Sequence, residues 1–232
     1  MSLIRLVLLA LVALACAAPA RAQSDQADRL REAGKVFQEI MQAPDRAIPS
    51  SVLAKAEGIA IFPSTLRGGF IVGGHHGRGV LSVRSQDKRA WSSPAFLSLT
   101  GGSFGAQIGG QAIDIVLVIM NRRGLEYLLK NQFKIGGDAS AAVGPVGRSA
   151  EASTDVQMRA EILSYSRARG LFAGISLNGS SIREDRDSNE AFYGQRLGTR
   201  QVVLDGEAKT PHSPDALQAW FAALTPHFPA IK

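Results

Sequence analysis

Apolar positions fall into three textures along the chain. Residues 6–15 (LVLLALVALA) form one unbroken apolar run. From 24 to 42, Ala27, Leu30, Ala33, Phe37, Ile40 and Met41 recur at three- and four-residue spacing, which predicts an amphipathic helix capped by Ser24 and stopped by Pro44. A short helical turn is expected over 51–56. Between Gly58 and about Arg183 the texture is that of strands. GIAIFP, GFIVGG, GVLSVRS, AFLSLTGG, AIDIVLVIM and LFAGISL are short apolar or alternating runs bounded by Gly, Pro or Ser. AIDIVLVIM is apolar at nearly every position, as an interior strand buried on both faces would be.

Helical punctuation interrupts and closes this region. Over 121–131, Asn121 can cap a helix whose stripe is Leu125, Leu128 and Leu129. Residues 157–177 read as a hairpin turning around 168–170, and 187–193 as a short helix. Near the C-terminus Ser213 is expected to cap, Pro214 occupies the first helical position, and Leu217, Trp220, Phe221 and Leu224 form the stripe. Pro226 ends it. The prediction is an α+β fold: a β-rich domain of mostly antiparallel strands with peripheral N-terminal, central and C-terminal helices. Its parts are an N-terminal helix and connection (23–49), the β-rich domain (50–195) and a C-terminal strand/helix extension (196–232).

The first apolar run follows a short basic start and precedes Ala20-Arg21-Ala22, the A-x-A pattern of a secretory signal cleaved after Ala22. It is about half the ~20 residues that a spanning helix needs, so an N-terminal anchor helix is the weaker reading. Cys16, the single cysteine, lies inside this segment. Lipidation there is the alternative, although Ala13 stands where a lipoprotein signal carries a large aliphatic residue. Cleavage after Ala22 leaves no cysteine, and so no disulfide, thiolate metal site or cysteine nucleophile. The expected location is periplasmic or outer-membrane-associated.

Charge adds a direction. The chain carries +6, and losing Arg5 and Arg21 with the signal leaves +4. Residues 64–134 hold nine Lys/Arg against three acids, so that stretch is +6 and the remainder −2. Such asymmetry suits an anionic partner, whether phospholipid headgroups, lipopolysaccharide phosphate or nucleic acid; export argues against nucleic acid. With 232 residues there is one domain's worth of chain, and its 24 glycines lie among apolar runs as they do in strands and tight turns.

Candidate chemistry is sparse. Gly101-Gly102-Ser103-Phe104-Gly105 matches G-x-S-x-G, but the nucleophile elbow needs a helix after the serine, and AQIGGQAIDIVLVIM reads as strand. His75 and His76 are adjacent, so on a strand they point to opposite faces and share no metal. His212 and His227 read as surface residues. Asp185-Arg186-Asp187-Ser188-Asn189 opens like a calcium loop, yet Glu190 and Arg196 stand where Gly and Glu belong, leaving an exposed acidic turn. Gly73–Gly79 (GGHHGRG) lacks a dinucleotide-loop spacing and is expected as a hairpin loop. No acid–base pair stands out, and no cofactor or metal is expected.

Several runs in one order resemble the SYLF domain family, whose members bind lipid. They are Gly58-Ile-Ala-Ile-Phe-Pro63, Trp91-Ser-Ser-Pro-Ala-Phe96, Thr100-Gly-Gly-Ser-Phe-Gly105 and Asp114-Ile-Val-Leu-Val-Ile-Met-Asn121. Gly144-Pro-Val-Gly-Arg148, Ile162-Leu-Ser-Tyr-Ser-Arg167, Gly170-Leu-Phe-Ala-Gly174 and Tyr193-Gly194 continue the series. The resemblance implies β-strands with peripheral helices and phospholipid binding, with phosphoinositides favoured and actin bound by some eukaryotic members. For an exported chain no actin partner is expected. The reading is a non-enzymatic phospholipid-binding domain using Arg67, Arg78, Arg122, Arg123, Lys130 and Lys134. An envelope protein-interaction scaffold is the alternative, and a serine hydrolase through Ser103 the least favoured.

Overall fold

A computed structural model describes residues 25–43, 47–70, 72–87, 89–104, 109–130, 132–146, 159–168, 171–173 and 177–228. The signal segment with Cys16, the Ser24 cap, Pro44 and the turn at 169–170 lie outside the described residues. Nine strands among them form one sheet: β1 Gly58–Phe70, β2 Val72–Val83, β3 Ala95–Phe104, β4 Gly109–Ile119, β5 Gln132–Lys134, β6 Ala141–Val143, β7 Ile162–Ala168, β8 Leu171–Ala173 and β9 Ser181–Glu184. The order is β5-β9-β3-β2-β1-β4-β7-β6, with β8 on β7; every pairing is antiparallel except β6 with β7. The fold is α+β, as the apolar patterning predicts. β4 (GGQAIDIVLVI) lies between β1 and β7, and Ile115 to Ile119 are all buried. β7 and β8 form the expected hairpin, Ala168 opposite Leu171.

The structure departs from the sequence pattern at the β1–β2 hairpin. Val72-Gly73-Gly74 open β2, whereas GIAIFP and the Gly69-Phe70 start of GFIVGG belong to one 13-residue strand with an irregularity between Phe62 and Thr65. There Ser64 adopts φ 47°, and the Asp114 carboxylate accepts its backbone N–H at 2.9 Å. Gly73–Gly79, expected as a hairpin loop, lies within β2 instead. The reason is close packing rather than turning. A Cβ on Gly77 would stand 2.3 Å from the Thr65 hydroxyl, and one on Gly79 2.3 Å from the Ile61 carbonyl oxygen.

The two sheet faces differ. One is buried through Thr65, His75, Leu99, Ile113, Phe133 and Ile182, with Arg67 and Gln111 half-buried toward one end. The other, the outer face, is half covered. Two helices pack there: α1 (25–41) and, at the chain's end, a helix over Pro214–Leu224. Gly34 of α1 lets them meet, since a Cβ there would touch the Ala223 Cβ at 3.3 Å. Trp220 donates its indole N–H to Ser82 of β2 at 2.9 Å. Arg167 of β7 pairs with Asp114 at 2.8 Å and with Glu39 of α1.

The remaining helices are α2 Ser50–Lys55, α3 Arg122–Leu128, α4 Arg186–Tyr193 and α5 Thr199–Val203, which makes the C-terminal one α6. Asn121 caps α3 by accepting the Gly124 N–H at 2.8 Å, as predicted. Asp185 caps α4 through the Ser188 N–H and pairs with Arg29, so the calcium-like stretch is a helix N-terminus. Ser213 sits before α6, but its side chain makes no capping bond. The buried stripe of α6 is Ala216, Trp220, Ala223 and Leu224; Leu217 and Phe221 are half-buried. No helix among the described residues is long and apolar enough to cross a membrane.

Candidate functional site

Beyond the part covered by α1 and α6, the outer face shows three exposed rows across hydrogen-bonded strands. The first runs Gln132–Arg183–Ser98–Arg78. The second runs Lys134–Ser181–Thr100–His76–Leu66–Ala112. The third is glycine throughout: Gly102–Gly74–Gly68–Gly110. Successive rows are two residues apart along a strand, about 7 Å. Neither of the first two rows contains a carboxylate.

The acids at its margin are already engaged. Glu184 pairs with Arg186 at 2.6 Å, Asp185 with Arg29 at 3.5 Å and Asp187 with Arg196 at 2.8 Å. Arg78, Arg183 and Lys134 make no ion pair among the described residues. Arg78 lies close enough to Arg29 to lower the latter's pKa, though burial of Arg29 is the larger cause. Leu66 stands on the same face, paired with His76 on β2 and four strands from Lys134, with 66 % of its surface exposed, the most exposed large hydrophobic residue described. Two concavities meet at His76. A recess of about 450 Å³ is lined by His76, Arg78 and Ser98 together with the engaged acids Glu184, Asp185 and Asp187 and their partners Arg186 and Arg196. An open depression of about 510 Å³ is lined by Leu66, Gly68, Gly74, His76 and Ala112, and also by Arg67, His75 and Gln111.

The candidate cations read from the sequence divide by place. Arg78 and Lys134 stand on the open face. Arg67 is half-buried in the row of His75 and Gln111, which alternates to the other side. Arg122 pairs with Glu126 at 3.3 Å, and Arg123 with Glu161 at 3.0 Å. Lys130 lies 4.5 Å from the centre of the Tyr127 ring. The α3 group is therefore matched locally and separate from the open face. Sequence reasoning missed Arg183, Ser98 and Leu66. Arg183 lies far outside the charge-dense stretch and joins Arg78 only because β9 pairs with β3.

The other sites resolve more simply. His75 is buried and its Nε2 lies 3.0 Å from the Ser180 hydroxyl; His76 is exposed on the opposite face. Burial holds the His75 ring below its ordinary pKa, and neighbouring Arg67 lowers it further. Ser103 lies in β3 opposite Gly73, and the next described element is β4 rather than a helix. The elbow context is thus missing and nothing supports a serine hydrolase. No group of three or more His, Cys, Asp or Glu among the described residues is placed to hold a metal.

The family-like motifs build the frame of this face. Tyr193 donates its hydroxyl proton to the Pro94 carbonyl at 2.7 Å, and Asn189 accepts the Phe96 N–H at 2.9 Å. Phe192 meets the Phe96 ring edge-on at 5.2 Å. A Cβ on Gly144 would stand 2.1 Å from the Tyr165 ring.

What the fold presents, then, is a β-rich domain with an open, cationic sheet face. The chain belongs to the Ysc84 (SYLF) family, whose description, "Las17-binding protein actin regulator", matches residues 100–225. It is 35% identical over 187 residues to SH3 domain-containing YSC84-like protein 1 of Xenopus laevis, covering 78% of this chain and 55% of that protein. The Homo sapiens protein of that name is 33% identical over 187 residues, covering 78% and 54%. Protein YSC84 of Saccharomyces cerevisiae is 35% identical over 176 residues, covering 75% and 37%. The chain thus spans about half the length of the animal relatives and less of the yeast one. Their names are those of binding and regulatory proteins, not enzymes. They also correct the expectation that excludes actin: the matching family is described as an actin regulator, and a secretion-like leader does not remove the domain from that family.

Proposed function

We propose that this chain is a non-catalytic binding domain that docks on an anionic membrane surface through the open half of its sheet. The observation that carries this reading is that Arg78, Arg183 and Lys134 stand on one open sheet face with exposed Leu66, and no carboxylate lies in their rows. Each cation held near an anionic bilayer contributes about 1 kcal/mol, so three give about 3 kcal/mol, and salt screens that attraction. Leu66 adds apolar area that enters the interface. An exported, envelope-facing location, cleaved after Ala22 or lipidated at Cys16, accords with this role and forms part of the proposal.

The test is co-sedimentation of the purified protein with vesicles of phosphatidylcholine alone or with phosphatidylglycerol, at low and high salt. Binding that requires phosphatidylglycerol and weakens with salt is the expected result. Equal binding to both vesicles, or none, overturns the reading. A second reading, recognition of a protein of the actin-regulating machinery, is favoured by the family's description. It predicts partner binding that survives neutralisation of the open face.

A further inference from the structure

A third concavity lies at the other end of β2 and shares no residue with the two that meet at His76. From His76 to Arg84 the chain advances eight residues, about 27 Å in a strand. This cleft of about 470 Å³ lies between the β2–β3 connection and α5 with the residues after it, and Arg122 of α3 also lines it. Its volume falls within the roughly 300–1,000 Å³ of small-molecule sites. Buried Val83, Val202 and Val203 form its apolar part, with half-buried Trp91 and Leu204. Its charged lining is Arg84, Arg122 and Arg200 against one carboxylate, that of exposed Asp205. The other lining residues are uncharged.

One wall is fixed by the chain itself. Arg84 and Trp91 face each other across a β-bridge, with the Ser92 N–H on the Val83 carbonyl at 2.8 Å and the Ser85 N–H on that of Ala90 at 2.9 Å. The Arg84 guanidinium lies 5.9 Å from the centre of the Trp91 ring and 5.7 Å from that of Phe228. Burial pulls its pKa below the ordinary arginine value, and nearby Glu57 offsets only part of that. A buried cation is costly, and an anion in the cleft lowers the cost. On the opposite side Arg122 and Arg200 share one carboxylate. The Arg122 Nε lies 3.3 Å from one Glu126 oxygen, and Arg200 donates to the other. Neither side chain makes another hydrogen bond or ion pair among the described residues. Each guanidinium carries five N–H donors, so most of both forks is left to donate, and the trio keeps one positive charge in excess. That excess suits a monoanion, and the forks suit a planar carboxylate. Trp91 and the valines suit a flat apolar body beyond it. We propose that this cleft binds a small aryl carboxylate, its oxygens accepting from Arg122 and Arg200 and its ring packed against Trp91 and the valines. The site is separate from the open sheet face and does not rest on the membrane-surface reading.

The test is calorimetric titration of the full protein with benzoate, naphthoate and indole acetate. Saturable one-to-one binding of at least one of them is expected, and its neutral amide should bind about tenfold or more weakly. Arg122→Gln with Arg200→Gln should weaken the acid by a similar factor, and Trp91→Leu should weaken it too. Arg78→Gln with Arg183→Gln should leave it unchanged. Circular dichroism confirms that each variant is folded, and the comparison of acid with amide needs no variant at all. Failure of all three acids to bind saturably overturns the site. So does equal binding of acid and amide, or a folded Arg122→Gln, Arg200→Gln protein that binds like wild type. Displacement of the acid by an equal concentration of dihexanoyl phosphatidylglycerol below its micelle-forming concentration also overturns it, in favour of a lipid headgroup. Vesicle co-sedimentation is unaffected by any of these outcomes, so the cleft and the membrane face fail separately.

Discussion

Adjacent glycines in β3 have opposite jobs. A Cβ on Gly101 would stand 2.4 Å from the His75 ring, so Gly101→Ala should destabilise the protein by roughly 1–3 kcal/mol. Gly102→Ala meets nothing and should be neutral or stabilising by up to about 1 kcal/mol. Urea unfolding of the pair checks the contrast. His75 makes a second prediction. The unfolded ring protonates near the ordinary histidine value of about 6.5, whereas the buried ring, beside Arg67, does so only at lower pH. Below 6.5 the unfolded chain therefore binds a proton that the folded one refuses. Stability should fall as pH drops through that value and level off once the folded ring protonates too. The difference between wild type and His75→Gln, measured by urea unfolding at several pH values, isolates this effect; parallel pH curves would contradict it. At this scale the sequence is least legible. Nothing local distinguishes Gly101 from Gly102, or buried His75 from exposed His76, beyond the alternation that sends them to opposite faces.

Elements were easier to read when they carry their own core. α1, β4 and α6 bury long stripes or runs, so apolar spacing and caps reveal them. β5, β6 and β9 have three, three and four residues and are strands chiefly because a neighbour pairs with them. α5 (TRQVV) is too short for a helical period to show. The Ser213 cap failed because the residue type marks where a cap can form, not whether its hydroxyl reaches an N–H. Two joints between elements are testable. Gly34→Leu should push α1 off α6, given the 3.3 Å Cβ–Cβ approach already present at that position, and cost roughly 1–3 kcal/mol in thermal unfolding. Asp114→Ala removes the acceptor of the Ser64 N–H and the partner of Arg167 together. It should cost about 2–3 kcal/mol, since Arg167 and Asp114 are largely buried and lose a shared network.

For the whole molecule, the charge asymmetry of 64–134 points toward an anionic partner, but the fold redistributes it. Arg78 and Lys134 reach the open face, Arg67 alternates away, and the α3 cations meet Glu126, Glu161 and Tyr127. Arg183 arrives from a strand distant in sequence. The motifs that carry the family resemblance explain the frame rather than the face: Phe96 and Tyr193 tie β3 to α4, and Gly144 lies against Tyr165. Family membership was therefore legible, and the working surface only in part. The most direct measurement compares two triple reversals in phosphatidylglycerol vesicle co-sedimentation: Arg78→Glu, Lys134→Glu and Arg183→Glu on the open face, and Arg122→Glu, Arg123→Glu and Lys130→Glu on and after α3. The account predicts that the folded open-face variant loses at least tenfold in vesicle affinity, while the α3 variant loses much less. An open-face variant that binds like wild type, or an α3 variant that loses more, would contradict the claim that this sheet face meets the membrane.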